Sequence, residues 1–304
     1  MDIRTIPTPS YVIDEGKLEN NCKILSEVAK KAGCKILLAQ KAYSAFATYP
    51  LIRRYLAGAT ASGLYEAKLG WEEMKGENHV FSPAYSEEEM AVLVKICDHI
   101  SFNSIHQLEK HRPVCMEAGV SMGLRINPEC STQEHGIYDP CAPFSRLGVT
   151  RAMVDKALFG GNVTDDTKTA IAADDQAAGR VPGYEKVLRG VEGLHVHTLC
   201  EQNADALEIT LKAFCEKFDD ILQLPQIKWL NLGGGHHITR EDYDRELLIR
   251  LVRGVKEQYN VEVYLEPGEA IALNAGYLVT EVMDIVENGM PILILDASAA
   301  CHMP

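Results

Sequence analysis

Leu37-Leu38-Ala39-Gln40-Lys41-Ala42-Tyr43-Ser44 is a short apolar run that carries one lysine and stops at small and turn-forming residues. After a helical segment, a run of that length reads as a buried strand. A lysine at the mouth of such a strand is costly unless it is paired, solvated or chemically used. By itself Lys41 fits a side chain that snorkels to solvent from a strand end. The other reading is a covalent site, because partial desolvation lowers a lysine's pKa and the free amine condenses with aldehydes. The motifs on either side decide between the two.

Upstream, residues 9–13 (Pro-Ser-Tyr-Val-Ile) form a short candidate strand, and Leu18, Cys22, Leu25, Val28 and Ala32 recur at helical spacing up to Gly33. Downstream, strands are expected to end near Lys41, Ser62, Pro83, Ser104, Asn127, His197, Gly234 and Pro267. Amphipathic segments lie between most of them. Two are clear, one on Ala204, Leu207, Leu211, Phe214 and Phe218, the other on Tyr243, Leu247, Leu251 and Val255. Eight βα units in about 230 residues predict an α/β fold, a (β/α)8 TIM barrel, with a doubly wound open sheet as the competitor.

The barrel domain is expected over residues 1–270, with the strand near 9–13 pairing to a second unit. Residues 277–285 and 292–295 read as two strands with no long helix between them, the start of an antiparallel β domain over 271–304. The sequence stops at His302-Met303-Pro304, directly after a strand. Such a domain is incomplete within these residues. One interval breaks the rhythm: between Asn127 and His197 lies far more chain than one helix requires. The polar, alanine-rich stretches at 164–167 and 172–179 read as a solvated insertion.

A composition of 46% apolar and 24% charged residues suits a globular protein with a large core. No apolar run approaches bilayer-spanning length and no signal peptide is recognisable, so a cytoplasmic location without membrane contact is expected. Nine cysteines without paired ligand spacing point to reduced thiols and no metal centre. A net charge of −13 disfavours nucleic acid and suits a cationic small molecule.

In a parallel barrel, chemistry gathers where strands end. Four features fall at such ends. Lys41 is the first. In Gly193-Leu194-His195-Val196-His197, alternation puts His195 and His197 on one face, where each by itself fits a buried hydrogen-bonded histidine. Asn231-Leu232-Gly233-Gly234-Gly235-His236-His237 ends a buried strand with three glycines, which let backbone N–H groups approach a phosphate. Its two histidines read most simply as exposed loop residues. In Tyr264-Leu265-Glu266-Pro267-Gly268-Glu269, a carboxylate pinned by a turn can hold a ring nitrogen protonated, or form a structural salt bridge. Together these supply the amine, ring contact, phosphate cradle and acid that pyridoxal 5′-phosphate needs.

Further words carry a resemblance: Leu38-Ala39-Gln40-Lys41-Ala42, Ser62-Gly63-Leu64-Tyr65-Glu66-Ala67, Ser145-Arg146-Leu147-Gly148, His197-Thr198-Leu199-Cys200-Glu201, Gly233-Gly234-Gly235-His236-His237-Ile238-Thr239 and Leu265-Glu266-Pro267-Gly268-Glu269-Ala270. On these the chain resembles the alanine racemase-like (fold type III) pyridoxal phosphate enzymes in their decarboxylase branch, and within it the carboxynorspermidine decarboxylases. The resemblance implies that Lys41 carries the Schiff base, His197 stacks on the ring, Gly233, Gly234 and Gly235 hold the phosphate, and Glu266 meets the pyridine nitrogen. It implies decarboxylation of carboxynorspermidine or carboxyspermidine to norspermidine or spermidine, by a homodimer.

Ornithine and diaminopimelate decarboxylases usually place arginine after Glu-Pro-Gly. Here Glu269 stands instead, and it is expected to face a protonated amine of a polyamine substrate. Arg146 is expected to shape the loop beside cofactor and substrate, with a structural ion pair as the other reading. Three features depart from the family pattern. Gln40 replaces an apolar residue and is expected to point away from the lumen. The segment 152–188 is longer than usual. The rest of the β domain, which in this fold supplies active-site residues across a dimer interface, is absent from these residues, as is the aspartate that normally follows the family's Cys-His-Met-Pro word. Three alternatives stay open: a pyridoxal phosphate decarboxylase of diaminopimelate, ornithine or arginine, a non-catalytic pyridoxal phosphate-binding barrel, and a metal-dependent hydrolase using the histidines.

Overall fold

Leu37 and Leu38 are fully buried, and the strand that holds them is one stave of a closed parallel barrel. The structure, a computed structural model, describes residues 3–160 and 184–303. The expected stretches at 164–167 and 172–179 therefore lie outside the described residues. The strands are β1 (Ser10–Ile13), β2 (Lys35–Ala39), β3 (Gly58–Ala61), β4 (Glu77–Ser82), β5 (His99–Phe102), β6 (Ser121–Ile126), β7 (Val191–Val196), β8 (Trp229–Asn231) and β9 (Glu262–Leu265), followed by β10 (Gly276–Val279), β11 (Val282–Glu287) and β12 (Pro291–Leu295). β2 to β9 pair in sequence order, and β2 closes the ring on β9 through Lys35 opposite Tyr264 and Ile36 opposite Leu265. The open sheet is thereby excluded.

Most barrel strands are followed by a helix with a buried apolar stripe. The helix Glu15–Ala32 shows the logic: Asp14 caps its first turn by accepting from Lys17 N–H at 3.0 Å, and Gly33 ends it in the left-handed region at φ 70°. Leu18, Cys22, Leu25 and Val28 form its buried face. Truncating a leucine there costs about 2–5 kcal/mol. Inside the barrel, Leu37, Trp229 and Tyr264 plug the lumen. Trp229 leaves so little room that a Cβ on Gly193 would come within 1.9 Å of its ring.

The barrel strands stop one to three residues before the expected ends, at Ala39 instead of Lys41 and at Asn231 instead of Gly234. Lys41, His197, Gly233 and Glu266 thus lie just beyond their strands, while His195 stays on β7. Gln40 is buried and faces the helix layer, donating to Glu66 O at 2.9 Å and accepting from Tyr49 OH at 3.3 Å.

The strand expected over 277–285 divides in two. β10 pairs antiparallel with β1, whereas β11 pairs with β12. Alternation along the chain runs through Thr280 and Glu281, but the two halves take different partners, so the ladder breaks there. The β11–β12 hairpin is apolar yet exposed, with Met283 at 64%, Ile285 at 61% and Leu293 at 56% of full exposure. Among the described residues no helix is long and apolar enough to cross a membrane.

Candidate active site

Two adjoining cavities open at the C-terminal rim of the barrel. One, of about 190 Å3, is lined by Lys41, Phe81, Arg125, Arg146, His195 and Glu266, among others. The second, of about 150 Å3, is lined by Leu199, Cys200, Glu201, Gly234, Gly235, His237 and Glu269, among others. Both share Ala39, Lys41, His197 and Glu266. A larger groove of about 1010 Å3 lies outside the barrel, beside the helix Glu15–Ala32, and none of the strand-end groups reaches it.

Lys41 sits two residues past β2 and is exposed, not desolvated as a strand-mouth lysine was expected to be. The turn at Gln40, whose N–H donates to Thr60 O at 3.2 Å, carries it out of the packed strand. No hydrogen bond or ion pair among the described residues engages its ammonium.

Glu266 is the buried anion. Its Oε1 accepts from Asn231 Nδ2 at 2.6 Å, and its Oε2 lies 3.6 Å from His195 Nε2. Burial works against the charge, but His195 and Asn231 outweigh it and hold the carboxyl below its ordinary pKa. No lysine or arginine pairs with it among the described residues, so the simple salt-bridge reading does not apply. Burial, only partly countered by Glu266, brings His195 down to about 4. Burial, with Lys41 and Arg125 adding to it, holds His197 well below its usual value.

The glycine run is pressed against its neighbours. A Cβ on Gly233 would meet His197 at 2.7 Å, on Gly234 the carbonyl of Glu266 at 2.4 Å, and on Gly235 the carbonyl of Leu199 at 2.2 Å. Gly233 lines neither cavity, and its N–H donates to Asn231 Oδ1 at 2.8 Å. The Gly234 N–H donates to His197 Nδ1 at 3.2 Å. The N–H groups of Gly235 and His236 have no partner among the described residues.

His236 and His237 are buried, at 1% and 7% exposure, where exposed loop side chains were the simpler expectation. The reason is tertiary. Gln202 N–H donates to Gly235 O at 2.9 Å, so the loop after β7 folds over the loop after β8. His237 Nε2 reaches the half-exposed carboxylate of Glu269 at 3.0 Å. Arg146 is exposed on the cavity edge, its carbonyl accepting from Asn103 Nδ2 at 2.9 Å. Its guanidinium makes no ion pair among the described residues, which sets aside the structural ion-pair reading.

Arg125 escaped the motifs, and Glu201 stood in one without a role. Arg125 is 6% exposed and lies over the Phe81 ring at 4.3 Å, with no hydrogen bond from its guanidinium among the described residues. Burial lowers it to about 10, still charged at neutral pH. An arginine inside the apolar strand Ser-Met-Gly-Leu-Arg-Ile is the signal that marks it. Glu201, held at φ 55°, puts a carboxylate within 4.8 Å of the ligand atoms of His237 and Glu269.

No protein-family model matches the chain. It is 41% identical to the carboxynorspermidine/carboxyspermidine decarboxylase of Campylobacter jejuni over 98% of its own length and 70% of that protein. It is 34% identical to the carboxyaminopropylagmatine decarboxylase of Synechocystis over 99% of its length and 70% of that protein. Among solved structures, carboxynorspermidine decarboxylase from Campylobacter jejuni in complex with norspermidine superposes with a TM-score of 0.81 at 40% identity, covering 98% of this chain and 70% of that one. With the same closed barrel, and identity of this order across nearly its whole length, the chain belongs to the carboxynorspermidine/carboxyspermidine decarboxylase family.

Proposed function

We propose that this chain removes CO2 from carboxynorspermidine or carboxyspermidine, giving norspermidine or spermidine, with pyridoxal 5′-phosphate bound at Lys41. The observation that carries the reading is the unpaired amine of Lys41 facing a cavity that also holds the buried, ionised Glu266. The donor set fits that cofactor. Lys41 offers an unpaired amino group, Glu266 an anion for a ring nitrogen, and Gly235 and His236 offer unpartnered backbone N–H groups for a phosphate. A Cβ at Gly234 or Gly235 would collide with neighbouring carbonyls, which keeps that cradle all backbone.

When bound, the cofactor supplies an electron sink for the electrons left behind as CO2 departs. The protein's residues do the rest. Lys41 would hold the cofactor until the substrate amine takes its place. Glu266, kept ionised by side-chain hydrogen bonds from Asn231 and Thr60, would hold a proton on the ring nitrogen. His197, neutral and pinned by Gly234, offers a flat face to the ring. Glu269, oriented by His237, meets the cationic end of the substrate, and Arg146 borders the cofactor side of the cavity.

The relative that acts on a carboxyaminopropylagmatine supports one second reading, a substrate ending in a guanidinium. The exposed apolar β11–β12 hairpin supports assembly as a homodimer, and the free cysteines support a cytoplasmic location.

Borohydride reduction of protein supplied with cofactor, followed by peptide mapping, tests the chemistry. A pyridoxyl adduct on Lys41 that disappears in Lys41→Ala is expected. An adduct elsewhere, or none in folded protein, overturns the reading. Product analysis on carboxynorspermidine, carboxyspermidine, carboxyaminopropylagmatine, diaminopimelate, ornithine and arginine decides the substrate. Turnover of only the last three would defeat the polyamine assignment.

A further inference from the structure

His195 is 2% exposed and lines the cavity, yet neither ring nitrogen has a hydrogen-bond partner. A buried imidazole left so is costly unless a neighbour or ligand completes it. Glu266 lies beside it, with Oε2 at 3.6 Å from Nε2, a few tenths of an ångström beyond hydrogen-bond contact. The other oxygen of that carboxylate is already taken by Asn231 at 2.6 Å. Phe81 packs edge-on against the imidazole with ring centroids 5.3 Å apart.

We propose that His195 is a positioning residue for Glu266: its neutral imidazole flanks Oε2 as a donor, fixing the carboxylate's orientation while leaving its negative charge for the ring nitrogen of the cofactor. This rests on the pyridoxal phosphate reading of the site.

Neutrality is the essential property, and the surroundings enforce it. The charged or titratable groups facing His195 are Glu266 beyond β9, Arg125 on β6, Lys41 beyond β2, His79 on β4 and His197 just beyond its own strand. Burial and the two cations outweigh the single anion. An imidazolium there would cancel the charge of Glu266 and leave nothing to hold a proton on the ring. A neutral N–H stabilises the carboxylate without competing for that proton. Asn231 does the same at Oε1, so the anion is held on both sides by neutral donors.

The test uses full-length protein loaded with pyridoxal 5′-phosphate, read by absorbance of the lysine adduct against pH and by the cofactor dissociation constant. His195→Leu removes the donor, so cofactor affinity is expected to fall about tenfold. The acid limb of the pH–absorbance profile is expected to move to higher pH, because Glu266 then protonates more readily. His195→Gln returns a donor and is expected to restore both. Wild-type behaviour in His195→Leu overturns the inference, as does a folded His195→Gln as impaired as the leucine variant. Should His195→Leu fail to fold, His195→Met is judged by the same two readouts. Wild-type protein that forms no absorbing adduct overturns the cofactor reading itself, and this inference with it.

Discussion

The backbone N–H of Gly234 donates to Nδ1 of His197 across 3.2 Å, tying the loop after β8 to the end of β7. An acceptor nitrogen must keep its lone pair, so the neutral ring carries its proton on Nε2. Burial and the nearby Lys41 and Arg125 keep the imidazole neutral.

His197→Ala removes both the flat face and the acceptor for Gly234. Cofactor affinity, measured by fluorescence titration, is expected to drop about tenfold or more. Unchanged affinity would show that the ring makes no contact with the cofactor.

Gly235→Ala places a Cβ against the carbonyl of Leu199 at φ 80°. Backbone strain alone costs about 1–3 kcal/mol, and the collision adds to it. Denaturant unfolding is expected to show that loss together with weakened cofactor binding. An alanine variant of wild-type stability would contradict the tight packing of the two loops.

Glu269→Ala leaves Glu266, Lys41 and the glycine loop untouched. KM for the polyamine acid is expected to rise about tenfold with kcat largely kept, the pattern of a lost uniform-binding contact. Cofactor content should stay normal, and its loss would remove Glu269 from substrate recognition.

His236 gives a pH prediction with a definite sign. Burial lowers its pKa in the folded protein from 6.5 to about 4, so the unfolded chain binds more protons between those values. The stability this neutral histidine contributes is fully present above about pH 6.5 and is lost as pH falls towards the folded value. From about pH 7 to about pH 5 the loss is about 2 kcal/mol. His236→Leu is expected to flatten the unfolding free energy against pH by that amount. An identical slope in the two proteins would refute it.

The barrel was legible in the chain because its signals are local. Apolar runs of strand length, helical stripes and glycine or proline stops recur in order, and strand ends are where the site words fall. Lys41, His197, Gly234, Gly235 and Glu266 all line the two rim cavities. Gly233 does not, because Asn231 draws its N–H back towards the strand.

Other properties depend on what lies across the lumen. Lys41 is exposed because its turn lifts it clear of the packed strand, although the sequence beside it is apolar. His236 and His237 are buried because the loop holding Gln202 closes over them. Residues 277–285 divide because their halves pair with strands far apart in sequence. Amino-acid order by itself determined the repeating βα pattern and which side chains stand at strand ends, since periodicity is a relation between near neighbours. Only the tertiary structure decided which of those side chains are buried, paired or left with a free charge, since burial and electrostatic environment are set by segments that folding brings together.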